Sequence, residues 1–165
     1  MNFNSIILTV AIVCTALIAG LYYSYSCSVN PGLSRLNDLE YLKAMQEINR
    51  AILNPMFFLS FFGTLILLPV SAYLNYPVNT TRFYCLVFAT LIYVIASFGI
   101  TVFGNVPLND MLDKTDLASA SAETLRKIRT EFENPWNKFH AVRTVATVLS
   151  LVFSIIGALQ NPSES

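Results

Sequence analysis

Residues 51–81 read AILNPMFFLSFFGTLILLPVSAYLNYPVNTT, 31 residues without a single charge. A helix needs about 20 mainly apolar residues to cross the hydrocarbon core of a bilayer. This stretch holds one crossing and a turn. Asn54-Pro55 starts the helix, with the proline in the first turn, where its missing N–H costs little. Pro69 lies late in it and is expected to kink it, which neighbouring helices tolerate by satisfying the freed carbonyl.

Working outward, the same pattern recurs three times. Residues 1–34, 83–109 and 144–163 are also free of charge. The expected fold is therefore all-α: a four-helix transmembrane bundle with spans over 5–27, 54–74, 83–104 and 136–159. A soluble fold would have to bury four helices that lack a polar face, and core helices are seldom apolar all round. Met1–Ser5 has no Lys or Arg and Ile6–Tyr23 is long for a signal-peptide core, so the first run reads as an uncleaved helix. The chain is 55% hydrophobic and 12% charged with zero net charge. That is about half the usual charge content, which argues against a disordered chain or a nucleic-acid binder. Residues 1–165 read as one integral, multi-pass domain with the lipid bilayer as its main partner.

The charges divide by side. Four spans place both chain ends and the loop near Asn75–Arg82 on one side, here side A. The connections 28–53 and 105–135 lie on side B, and 18 of the 20 charged residues, nine of the ten basic ones among them, lie on that side or at its edge. The positive-inside rule makes side B cytoplasmic. A reporter fused at Ser165 checks this: it should be active only outside the cytoplasm.

Side B should carry a cap. After Asn30-Pro31-Gly32, expected to break the first helix, Leu36, Leu39, Leu42, Met45, Ile48 and Ile52 recur every three or four residues. That spacing makes a short amphipathic helix, lying over the bundle end or in the interface plane. Ser121–Glu133 reads as a separate short helix with Leu125, Ile128 and Phe132 on its apolar side. Asn134-Pro135 then starts the fourth span as N-cap and first helical residue. Ala16-x-x-x-Gly20 and Ser60-x-x-x-Thr64 are small pairs suited to close helix contact. No internal repeat stands out. Cys14, Cys27 and Cys85 lie at three different depths, so an internal disulfide is not expected and all three read as small packing residues.

The fourth span carries the informative pattern. Trp136, His140, Arg143, Thr147, Ser150 and Ser154 follow spacings of three and four and share one face. Tyr93, Ser97, Thr101 and Asn105 form a similar stripe on the third. Polar side chains facing lipid are costly, so both stripes should face inward. At side B they meet Asn30, Gln46, Asn49, Asn109, His140 and Arg143. Two readings stay open. In one, Arg143 snorkels, the amides cap helix ends and His140 fills the interface. In the other, a pocket opens there, with His140 as a base near neutral pH and Arg143 with the amides holding an anion. One histidine and no thiol pair argue against a zinc or copper centre, and no phosphate-binding glycine loop is present.

The run Asn105-Val-Pro107-Leu108-Asn109 after the third span, followed by Trp136-x-x-x-His140-x-x-Arg143, resembles the anthrone oxygenase-like family of small four-helix membrane proteins. Pro31 with Leu33, and Met45-Gln46-x-x-Asn49, fit the same pattern over nearly the whole chain. The resemblance implies oxygenation of a polycyclic anthrone to a quinone without metal or other cofactor. In that reading His140 is the base and Arg143 with Asn105 and Asn109 clamps the enolate oxygen. Tyr22, Tyr25 and Trp136 stack on a flat substrate. Two other readings stand beside it: a module that binds a lipid, quinone or aromatic metabolite in the same pocket, and a helper subunit whose cap docks a partner. In each, an apolar small molecule or a partner protein is expected, and nucleic acid is not.

Overall fold

The computed structural model describes residues 2–76 and 79–160. They form five helices and, among the described residues, no strand. α1 is Phe3–Leu33, α3 Pro55–Asn75, α4 Thr80–Asp113 and α5 Ala122–Ala158, all four long and apolar enough to cross a membrane. The cap, α2, is Asp38–Ala51. Short side chains start the helices. Asn2, Asn37, Asn54 and Asn79 each accept a backbone N–H of the first turn, as Ser121 does for α5.

Three boundaries differ from expectation, each at a proline. α1 runs through Asn30-Pro31-Gly32, and α4 runs through Val106-Pro107 to Asp113. In both, a wide π turn ends two residues before the proline, Tyr25–Val29 in α1 and Thr101–Asn105 in α4. Asn30 N–H bonds Tyr25 O and Val106 N–H bonds Thr101 O, five residues back. The widened turn makes room for the pyrrolidine ring where an α turn would clash. The third case is Asn134-Pro135, which starts nothing: α5 is one helix of 37 residues. Phe132 and Trp136 are four apart and pack in one core cluster across the proline, and Arg129 pairs with Glu133 at 2.7 Å. That packing outweighs one missing backbone bond. α3 likewise runs unbroken through Pro69.

The spans pack in ring order α1, α3, α4, α5. Ile18, Phe61, Leu68 and Tyr93 form the mid-bundle core. The close α1–α3 approach is at Gly63, where an added Cβ would lie 2.9 Å from Cys14 Sγ. Ala16 and Gly20 are exposed and pair with nothing, because α1 turns Ala11, Thr15, Ile18 and Tyr22 inward instead. Both polar stripes do face inward. Ser97 and Thr147 share a hydroxyl hydrogen bond of 2.7 Å between α4 and α5, and Ser150 donates to Ala89 O. All three free cysteines stay unpaired.

On side A, Arg82 ties α4 to the end of α5: it donates to the carbonyls of Gly157 and Gln160 and to Asn75 Oδ1. A cation on the last carbonyls of a helix satisfies both orphan acceptors and the helix dipole. Arg82→Ala should lower bundle stability by about 1–3 kcal/mol, read as a lower thermal midpoint in detergent.

On side B the cap behaves as its spacing implied. Leu42 and Met45 are fully buried with Leu112, Phe132 and Trp136. Gln46 Nε2 donates to Leu112 O and Thr115 O, and Arg50 pairs with Asp113 at 2.6 Å, so two latches hold α2 to the end of α4. Arg129 of α5 binds Asp38, Leu36 O and Ser34 O and lies 4.5 Å from the Tyr41 ring centre. Burial, and then the Glu133 charge, push the Tyr41 phenol above its ordinary pKa, with Arg129 opposing. A raised folded pKa means that this contribution is complete below about pH 10 and lost as pH rises further. Tyr41→Phe should flatten the alkaline arm of the pH–stability curve measured by thermal melting.

Candidate functional site

The π turn in α1 and the one in α4 lie at the same end of the bundle, against the Trp136–Arg143 stretch of α5. Under the cap this leaves a cavity enclosing about 570 Å³, open mouth included. Tyr22, Tyr25, Asn49, Asn109, Trp136 and Arg143 line it, six of the ten residues expected at the site.

Arg143 sits at its inner end, 8% exposed. Nε and Nη2 donate to His140 Nδ1 at 3.3 and 3.2 Å, and Nη1 donates to Thr101 Oγ1 at 3.4 Å. The guanidinium carbon lies 4.3 Å from the Tyr22 ring centre and 5.3 Å from that of Trp136. Among the described residues no carboxylate comes within ion-pair distance. Aromatic faces attract a cation but do not neutralise it. The cavity therefore ends in a buried positive charge with neutral partners only, an arrangement that favours an anionic oxygen.

The bonds also assign the imidazole tautomer. A guanidinium has only donors, so Nδ1 is the acceptor and Nε2 carries the hydrogen. Nε2 lies 3.2 Å from Tyr22 O, 3.1 Å from Ser26 Oγ and 3.4 Å from Thr144 Oγ1. The ring stacks on Trp136 at 5.0 Å and 10°. The lone pair that a base would use is thus occupied by Arg143, and His140 does not line the cavity.

The amides separate into two groups. Asn109 Oδ1 accepts from Trp136 Nε1 at 2.8 Å. Indole nitrogen only donates, so the amide is fixed with Nδ2 left over as a donor. Asn49 lines the cavity, and its buried Nδ2 has no partner. The other three serve elsewhere. Asn105 donates to Trp136 O and keeps a buried, unpartnered Oδ1; Asn30 donates to Asn137; Gln46 latches the cap. Arg143 hydrogen-bonds neither Asn105 nor Asn109. Trp136 engages both amides, and the π turn of α4 brings Thr101 to the guanidinium instead. Sequence reasoning missed Thr101, Ser26 and Phe57 as site residues. Thr101 was visible on the inward stripe of α4, and Ser26 stands four residues after Tyr22; nothing marked Phe57 among its apolar neighbours.

The anthrone oxygenase family model matches residues 57–153. The chain belongs to this family. The match covers more than half of the chain, though not nearly all of it. It includes Thr101, Asn109, Trp136, His140 and Arg143, so the cation and its supports lie within the family's shared stretch. Tyr22, Tyr25 and Asn49, which close the cavity from α1 and the cap, lie outside it. No curated protein and no solved structure is significantly similar to the chain.

Proposed function

We propose that this is a membrane-embedded oxygenase of flat, enolisable aromatic ketones, with α1, α3, α4 and α5 crossing the bilayer. The observation that carries the reading is the buried Arg143 guanidinium, without a carboxylate partner, at the end of a cavity walled by Tyr22, Tyr25 and Trp136. The aromatic walls stack on the ring system. Arg143 receives the ketone oxygen and Asn109 Nδ2 supplies a second donor. Charge builds on that oxygen, through the conjugated rings, as the CH₂ group across the central ring loses a proton to solvent, so the cation is worth more to the enolate than to the ketone. The enolate gives electrons to dioxygen and a carbon–oxygen bond forms. Loss of the second hydrogen as a proton, with cleavage of the oxygen–oxygen bond, leaves a new carbonyl. One oxygen atom ends in the quinone and the other in water. His140 serves by holding Arg143 in place.

Oxygen uptake by the purified protein with anthrone tests this, against the uncatalysed background. The expected result is one dioxygen consumed per quinone formed, well above background. Quenching of Trp136, the single tryptophan, without oxygen uptake would make the protein a binding module and overturn the oxygenase reading.

A further inference from the structure

The cavity is polarised along its length. Arg143, Trp136, Tyr22 and Thr101 at its inner end are all buried. At its outer end stand Leu53, 65% exposed, and Val106, 40% exposed, with the half-buried Phe57, Leu21 and Ile52 beside them. The most exposed part of the lining, Leu53 and Val106, is thus apolar, with Tyr25, Asn49 and Asn109 half-buried beside it. Its position follows from helix packing. α3 and α4 pack together along Thr80–Gly99 and separate beyond it, where the π turn Thr101–Asn105 of α4 begins. The cap roofs this gap, and its aqueous edge is tied shut by Gln46 on Leu112 O and Thr115 O and by Arg50 on Asp113.

We infer that the site is loaded sideways from the bilayer, through the gap between α3 and α4 at Leu53 and Val106, by apolar ring compounds that enter oxygen end first. This rests on the proposed function for the identity of the site and adds the route and the class of compound admitted. A compound dissolved in hydrocarbon meets the apolar Leu53 and Val106 at no desolvation cost. It gives up its apolar surroundings only for aromatic walls, and its acceptor oxygen reaches Arg143 at the far end. A compound held in water by a permanent charge meets a latched roof on one side and hydrocarbon on the other.

Trp136 reports arrival directly. The protein in phosphatidylcholine vesicles is mixed with alizarin, a flat hydroxyquinone that partitions into lipid and has no CH₂ to react, or with its water-soluble sulfonate. Alizarin should quench Trp136 rapidly and the sulfonate should not. Val106→Phe should slow the alizarin quench several-fold while leaving it able to saturate. Arg50→Ala, which frees the aqueous latch, should leave the rate unchanged. Sulfonate quenching as fast as alizarin, or a rate sensitive to Arg50→Ala and indifferent to Val106→Phe, would place the entrance on the water side and overturn the route while leaving the site intact. No quenching by either compound would remove both the route and the site.

Discussion

Arg143→Ala should lower the rate of anthrone-dependent oxygen uptake by roughly 10²–10³, the effect of about 2–4 kcal/mol of lost charge stabilisation in a transition state. The physical reason is the absence of any other cation in the cavity lining. Tyr22, Trp136 and Asn109 can still hold the ring system, so affinity for a neutral quinone should fall much less than turnover. Arg143→Lys should not rescue the rate. Lysine cannot donate from two nitrogens to His140 Nδ1 and also reach Thr101, as the planar fork does. The check pairs oxygen uptake with Trp136 quenching by alizarin on the same preparations. A normal rate in Arg143→Ala would show that enolate charge is stabilised elsewhere.

His140→Leu should lower the same rate by roughly 10–10², because Arg143 loses its principal acceptor and its charge-assisted hydrogen bonds. His140→Asn separates holding from proton transfer. Its side-chain carbonyl can accept from the guanidinium but cannot act as a base. If His140 acts by positioning Arg143, the asparagine variant retains most of the activity and its pH–rate profile matches that of the unaltered protein. If His140 is the base, the asparagine variant loses about 10²–10⁴ in rate and its pH–rate profile changes shape. The leucine variant alone would not separate the two, since it removes acceptor and base together.

The four spans, the amphipathic cap and the inward polar stripes were legible in the chain itself. Each is a one-dimensional signal: a charge-free run as long as a bilayer is thick, or a residue type returning every three or four positions. The penalty for exposing Arg143, Thr147 or Ser97 to hydrocarbon acts on the helix face as a whole, so spacing alone turns that face inward. Prolines resisted this reading. Pro31, Pro107 and Pro135 all looked like boundaries, and all three lie inside helices, because a π turn or a core contact from a distant segment compensates the local fault. The small pair Ala16 and Gly20 misled similarly, since small size says which residues can pack closely and not which face finds a partner.

Six of the ten residues named from the sequence line the cavity, and tertiary structure assigned their partners. Arg143 and His140 stand three apart on a helix, a spacing that allows contact without saying which ring nitrogen receives it. That was decided by Tyr22 O, 118 residues away from His140, and by Thr101 at the start of α4's π turn. Asn109 became a fixed donor only when Trp136 Nε1 took its oxygen. Gln46 left the site for the roof because the carbonyls of Leu112 and Thr115 lie within its reach. Side-chain chemistry is a property of the residue and can be read from its letter. Which hydrogen bonds it makes depends on groups brought together by folding, and in this protein those bonds separate the guanidinium at the end of the cavity from the imidazole that holds it.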